Sequence, residues 1–204
     1  MIVNDVPLTP LGVMVLALLR EGDMHPYEMA RLLKARRHDR MVTCTNGTLY
    51  HTVARLHGHG FLEEVGVDRD GNRPERTTYR VTERGSAAVA DWVRRELGAR
   101  GRPAQFRVAL SEAHNLERDE VVALLTNRLD ALRTELDALD TGRAGAAARR
   151  VPEQYLLELE RASILHRAEI DWLDALIPRI ASPDFPWGPD PDDLLARRKA
   201  RQND

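Results

Sequence analysis

The run LGVMVLALL (11–19) is apolar nearly all round, the pattern of a helix buried on every side. Thr9-Pro10 before it offers a capping hydroxyl and a proline suited to a first turn, and Glu21-Gly22-Asp23 ends it. A second helix starts at His25-Pro26-Tyr27-Glu28, with Met29, Ala30 and Leu33 inward and Arg31, Lys34, Arg36 and Arg37 outward. In a third, Leu49, Val53 and Leu56 stand at i, i+4, i+7 and form a buried seam. Thr45 is its expected N-cap and Gly60 its stop. Thr48, His51, Thr52 and Arg55 fall on a separate, polar stripe.

Alternation then replaces the helical period. FLEEVGV (61–67) and RTTYRV (76–81) read as strands joined by the turn DRDGNRPE (68–75). Thr82 caps a fourth helix within TERGSAAVADWVRREL, with Glu83 at its positive end. Three helices, a two-stranded wing and a helix out make a winged helix-turn-helix over residues 1–97.

GARGRPA (98–104) reads as a linker, and residues 105–181 as helical. Val122, Leu125, Leu129, Leu132, Leu136 and Leu139 repeat at spacings of three and four, a heptad seam. TGRAGAAARRVP (141–152) is expected to break that helix. Leu156, Leu159, Ser163, His166, Ile170, Leu173 and Ile177 carry the seam onward. The same helix has apolar residues off the seam, at Leu157, Ile164, Leu165, Ala168 and Trp172. One seam closes an intrachain antiparallel hairpin, and the surplus surface calls for a partner, most simply a second copy in a two-fold dimer. The fold class is therefore mainly α with a small β-wing: an N-terminal winged helix-turn-helix and a C-terminal, coiled-coil-like dimerisation domain. The tail (182–204) is expected to be irregular unless Trp187 anchors it.

Charge changes the picture only locally. The net charge is −2, yet residues 24–60 hold six Lys and Arg against two Asp and Glu, a basic surface suited to docking on phosphate. No apolar run approaches the ~18 residues of a membrane span. A signal peptide is not expected, and the single Cys44 excludes an internal disulfide and fits a reducing cytoplasm.

The third helix and its exit carry three of the seven histidines, His51, His57 and His59. At 100° per residue, His51 and His57 lie about 240° apart and His57 and His59 about 200°. They do not converge as metal ligands must, so no metal site is expected. For DNA contact the candidates are Thr45, Asn46, Thr48, Tyr50, His51, Thr52 and Arg55 on this helix. To them are added Arg73 at the wing tip, for the minor groove, and Arg76, for phosphate. Trp92, Ser163, His166 and Trp172 are candidates for a small-molecule effector, because aromatic faces and buried polar groups can hold a flat ligand. Cys44, next to the helix cap, raises a redox alternative. A helical protein–protein interaction module, or a redox- or metal-responsive regulator on the same scaffold, are the competing readings. No catalytic constellation is present, so an enzyme is not expected, and neither is a cofactor.

Gly47-Thr48-Leu49-Tyr50, Arg55-Leu56, Gly60-Phe61-Leu62 and Tyr79-Arg80-Val81-Thr82-Glu83-Arg84-Gly85, with HPYEM (25–29) upstream, resemble the PadR family of bacterial transcriptional regulators. The resemblance spans roughly residues 8–97. The helical C-terminal part is similar in layout to the subfamily with a two-helix dimerisation domain. It implies a dimeric repressor that binds a roughly palindromic operator and releases it to a small molecule, often phenolic or otherwise aromatic. Two departures bear on which operator is read: His51 stands where the family usually has proline, and His57-Gly58-His59 stand where the helix end is usually acidic.

Overall fold

The computed structural model describes residues 8–68 and 76–188. Helix α1 (Pro10–Arg20) starts on Thr9, whose Oγ1 accepts from the Gly12 amide at 3.2 Å. Leu11 to Leu19 are all buried, so α1 is the axis around which the N-terminal elements pack. Helix α2 (Pro26–Ala35) is capped by His25, whose Nδ1 accepts from the Tyr27 amide (3.0 Å) while Glu28 Oε2 accepts from the His25 amide (3.0 Å). Helix α3 (Asn46–Gly58) has His59 as its C-cap and is followed by Gly60, whose φ of +71° is the left-handed conformation glycine favours.

Strands β1 (Leu62–Asp68) and β2 (Arg76–Val81) pair antiparallel, from Leu62 opposite Val81 to Asp68 opposite Arg76, with an irregularity between Glu64 and Gly66. A third segment joins the wing at Met24, whose backbone exchanges hydrogen bonds with Tyr79 at 3.1 and 3.2 Å. The Arg80 guanidinium donates to Asp23 at 3.0 and 2.6 Å, so the entry to α2 is tied to the wing twice. Helix α4 (Glu83–Gly98) follows directly, capped by Thr82. These elements are the expected winged helix. One outward position differs: Arg36 is half-buried and clasps Glu21 with both nitrogens, at 2.5 and 2.7 Å.

The C-terminal part begins with α5 (Pro103–Ser111), a separate short helix that no seam announced. Helices α6 (Arg118–Ala148) and α7 (Leu157–Ala181) then form the hairpin. The hydrophobic core runs without interruption from α1 and α4 through Phe106, Val108 and Ala109 of α5 into Val121, Leu125, Leu129 and Leu132 of α6. The α6 seam thus starts at Val121, which is fully buried, and Val122 is only partly so.

The expected break at 141–152 is overturned: α6 runs on to Ala148 and turns only at Arg149-Arg150. Each glycine costs a helix about 1 kcal/mol relative to alanine. Alanines flank Gly145, Ala146 is buried, and a Cβ at Gly142 would touch Leu159 at an ordinary 3.7 Å. Packing against α7 outweighs the local penalty. The stretch read as a linker is also not slack. Arg128 donates to the Ala99 carbonyl, Arg100 to Glu135 at 2.5 Å, and Arg102 to the buried Glu96 at 3.3 Å. The tail as far as Gly188 is anchored: Trp187 Nε1 donates to Leu116 O (3.0 Å), and Arg118 donates to the carbonyls of Ser182 (2.6 Å) and Phe185 (2.8 Å).

Candidate nucleic-acid interface

Helix α3 opens on a reciprocal cap. Thr45 Oγ1 accepts from the Thr48 amide at 3.2 Å, and Thr48 Oγ1 accepts from the Thr45 amide at 2.8 Å. Thr45, Asn46, Gly47 and Thr48 are all exposed, so the positive end of the helix meets solvent where a phosphate could approach. Leu49, Val53 and Leu56 are buried, as their spacing predicts.

The polar stripe does not stay together. Thr52 is only 6% exposed, and its hydroxyl donates to the Thr48 carbonyl at 2.7 Å. Arg55 is half-buried and donates to Thr9 Oγ1 at 3.1 Å, bracing α3 against the cap of α1. Both positions, expected on an open, groove-facing stripe, make contacts within the fold. The helical wheel gives the reason: Thr52 lies about 70° from the centre of the apolar seam, which is its flank. Gly47, His51 and Ala54 lie about 130–170° away and are exposed, whereas Arg55, also about 130° away, is drawn in by its bond to Thr9 and not by its place on the wheel. Tyr50, beside His51, is 49% exposed. Gly47 and Ala54 were missed as site residues because they carry no polar group. Their value to an interface is the opposite, since small residues let a helix backbone come close to a base edge.

A second aromatic group borders this face. The His25 ring meets Tyr50 edge-on, with centroids 6.3 Å apart, and Tyr27, at the start of α2, is 63% exposed. The other two histidines of the cluster serve the wing. His57 packs edge-on against Tyr79 and faces Glu64 at 3.8 Å, and His59 is the residue that ends α3, its ring beside Phe61. Among the wing candidates, Arg76 opens β2, and Arg73 lies outside the described residues.

The four effector candidates do not gather at one place. Trp92 is a core residue of α4, and its Nε1 donates to Leu8 O at 3.1 Å. Ser163 is fully buried and donates to Leu159 O at 2.9 Å. His166 has Nδ1 2.8 Å from Ala162 O and Nε2 3.0 Å from Glu135 Oε2. Trp172 alone keeps an open face, 38% exposed, with its ring edge-on to Phe106. The Arg128 guanidinium lies over the Phe106 ring, 3.8 Å from its centroid, while its Nε donates to Glu169 at 2.7 Å. The row of Arg128, Phe106 and Trp172 was not legible in the sequence, because helices α6, α5 and α7 each contribute one of them.

Burial pushes the Cys44 thiol up from its ordinary value, the opposite of what an activated thiolate needs. Among the described residues, no group of three or more His, Cys, Asp or Glu could hold a metal ion. Likewise among them, no helix is long and apolar enough to cross a membrane.

Residues 15–91, from within α1 through the wing and into α4, match the model of the transcriptional regulator PadR-like family. This stretch is similar to a PadR-like domain. Among solved structures, Bacillus subtilis PadR in complex with operator DNA is 21% identical, over 84% of this chain and 99% of that one, with a TM-score of 0.39. The same protein in complex with p-coumaric acid is 19% identical over 85% and 100%, with a TM-score of 0.36. A transcriptional regulator from Clostridium thermocellum is 28% identical over 45% and 84%, with a TM-score of 0.34. No curated protein matches the sequence. The PadR-like domain thus carries α3 as its third helix and β1–β2 as its wing, followed by α5, α6 and α7.

Proposed function

We propose that this chain is a sequence-specific, DNA-binding repressor of transcription, acting as a homodimer in the cytoplasm and released from a palindromic operator by a small effector. The observation that carries the reading is the outer face of α3 within a PadR-like domain: Gly47, Tyr50, His51 and Ala54 exposed, with an open, capped N-terminus at Thr45. Small residues admit the helix to a major groove, Tyr50 and His51 reach base edges, and Thr45 and Asn46 lie where amides attract phosphate. Arg73 then borders the minor groove, Arg76 meets phosphate, and Arg55 steadies the helix.

Dimerisation uses the outer side of α7, where Leu157, Ile164, Leu165 and Trp172 are exposed although apolar. Two copies paired there present their α3 helices about one DNA turn, ~34–36 Å, apart. An aromatic acid stacked on Trp172 beside Phe106 and Arg128 sits where α5, α6 and α7 meet, and can alter that separation. Titrating such acids while following tryptophan fluorescence and operator release tests this part.

The decisive experiment is a mobility-shift assay at fixed salt with DNA from upstream of the chain's own gene. Tyr50→Ala and His51→Ala are each expected to weaken specific binding by about 10-fold, from ~1–3 kcal/mol per base contact. Their helical circular dichroism should be unchanged. Unaltered binding in both variants sinks the assignment of α3 as the reading helix.

A further inference from the structure

At the seam between the PadR-like domain and the C-terminal helices lies a carboxyl group that takes no part in DNA contact. Glu112 follows α5 and is only 6% exposed. Asn115 Nδ2 donates to its Oε2 at 3.1 Å and to its backbone carbonyl at 2.9 Å. Asn115 Oδ1 in turn accepts from Arg20, the last residue of α1. The adjoining residue, Glu21, holds Arg36 at 2.5 and 2.7 Å, and Arg36 is the residue on which α2 ends and the turn to α3 begins. Three elements therefore meet at one polar knot: α1, the α2–α3 turn, and the turn after α5.

Every ionisable neighbour matters here. Glu21 opposes a negative charge on Glu112, and Arg36 and Arg20 favour one. His38, in the same turn, has a buried Nδ1 without a hydrogen-bond partner and is held below its ordinary value, first by burial and then by Arg36. It therefore adds no cation at neutral pH. Helix α4 also packs on this segment, and its buried Glu96 is paired with Arg95 and Arg102. His114 lies on the turn itself.

We propose that Glu112 is a proton-operated latch between the C-terminal helices and the DNA-reading unit, an inference that rests on the repressor reading for its effect on operator binding. With a proton on Glu112, the neutral carboxyl sits in the apolar seam and the Arg36–Glu21 clasp holds the start of the α2–α3 turn. When the proton leaves to solvent, the new carboxylate repels Glu21 and competes with it for Arg36 and Arg20, so the clasp is shared and the turn that aims α3 loosens. Burial, with Glu21 adding to it, raises this carboxyl to about 7, which puts the change within the physiological range.

The test compares wild type with Glu112→Gln, which keeps the shape of the protonated carboxyl, at pH 6 and pH 8 and constant ionic strength. Two quantities are read: hydrogen exchange of the backbone amides of residues 36–45, corrected for intrinsic rates, and operator affinity. In wild type, protection of this turn should fall about five-fold or more between pH 6 and pH 8, and in Glu112→Gln it should stay flat. The ratio of operator affinities at the two pH values should likewise be about five-fold larger in wild type. Superimposable exchange profiles overturn the latch even where operator binding is intact. Absence of operator binding from both proteins overturns the repressor reading instead, and the exchange data then decide the latch alone. Should Glu112→Gln fail to fold, Glu21→Gln replaces it: removing the opposing charge should move the midpoint of the exchange change to lower pH, and an unmoved midpoint overturns the proposal.

Discussion

Gly85 shows how a single missing atom can hold two elements together. A Cβ there would lie 2.3 Å from the Phe61 carbonyl oxygen and 2.9 Å from Val81 Cγ2, closer than real carbons come. Alanine would improve helix propensity by about 1 kcal/mol, yet it would push α4 off the base of the wing. Gly85→Ala is therefore expected to destabilise the protein by a net ~1–3 kcal/mol, the scale of overpacking, measured by urea denaturation. Glu112 gives the second prediction at this scale. Its carboxyl is raised from 4.5 to about 7, so between those values the folded protein holds a proton that the unfolded chain releases. Stability must then fall as pH rises from 4.5 through about 7 and level off above it. Burial supports an upper limit of ~3 kcal/mol for this loss. In Glu112→Gln that component should vanish, so the gap between the variants in urea midpoint should open between pH 5 and pH 8. An equal pH dependence in both proteins refutes the assignment.

At the scale of elements, α3 and α6 make opposite points about local chemistry. In α3 the Thr45–Thr48 cap and the Leu49, Val53, Leu56 seam follow from residue type and spacing, and the helix forms where they say. In α6 two glycines argue for a break that tertiary contact overrides. The penalty remains stored there and can be recovered. A Cβ at Gly145 would have open space and its φ is not positive, so Gly145→Ala should stabilise the protein by ~0.5–1 kcal/mol in thermal unfolding. A neutral or destabilising result would show that the helix end needs the glycine for another reason.

For the whole molecule, the governing fact is that α7 has two apolar sides and one chain covers only one of them. Ser163, Ile170, Leu173 and Ile180 are buried toward the rest of the fold, while Leu157, Ile164 and Leu165 remain 49–63% exposed. In the proposed dimer that surface is shared by two copies. Ile164→Asp should convert the protein to a monomer in sedimentation velocity and weaken operator binding by 100-fold or so, the scale on which joining two sites multiplies affinity. A dimer that survives this charge places the interface elsewhere.

The periodic features of the chain were enough to name the elements of its N-terminal part. A buried α1, capped α2 and α3, a hairpin and α4 all follow from spacing, caps and turn residues, because those signals act within a few residues of one another. The linked motifs from HPYEM to Gly85 pointed to the family by the same local logic. What spacing could not resolve was direction at the margins of a stripe. Whether Thr52 and Arg55 face a groove or the fold depends on how α1 lies against α3, and Thr9, the residue that holds Arg55, is far away in sequence. The grouping of Phe106, Arg128 and Trp172, and of Arg20, Glu21, Arg36 and Glu112, has the same origin. Each group is assembled from elements whose order along the chain is known but whose mutual approach is set only when the common core closes.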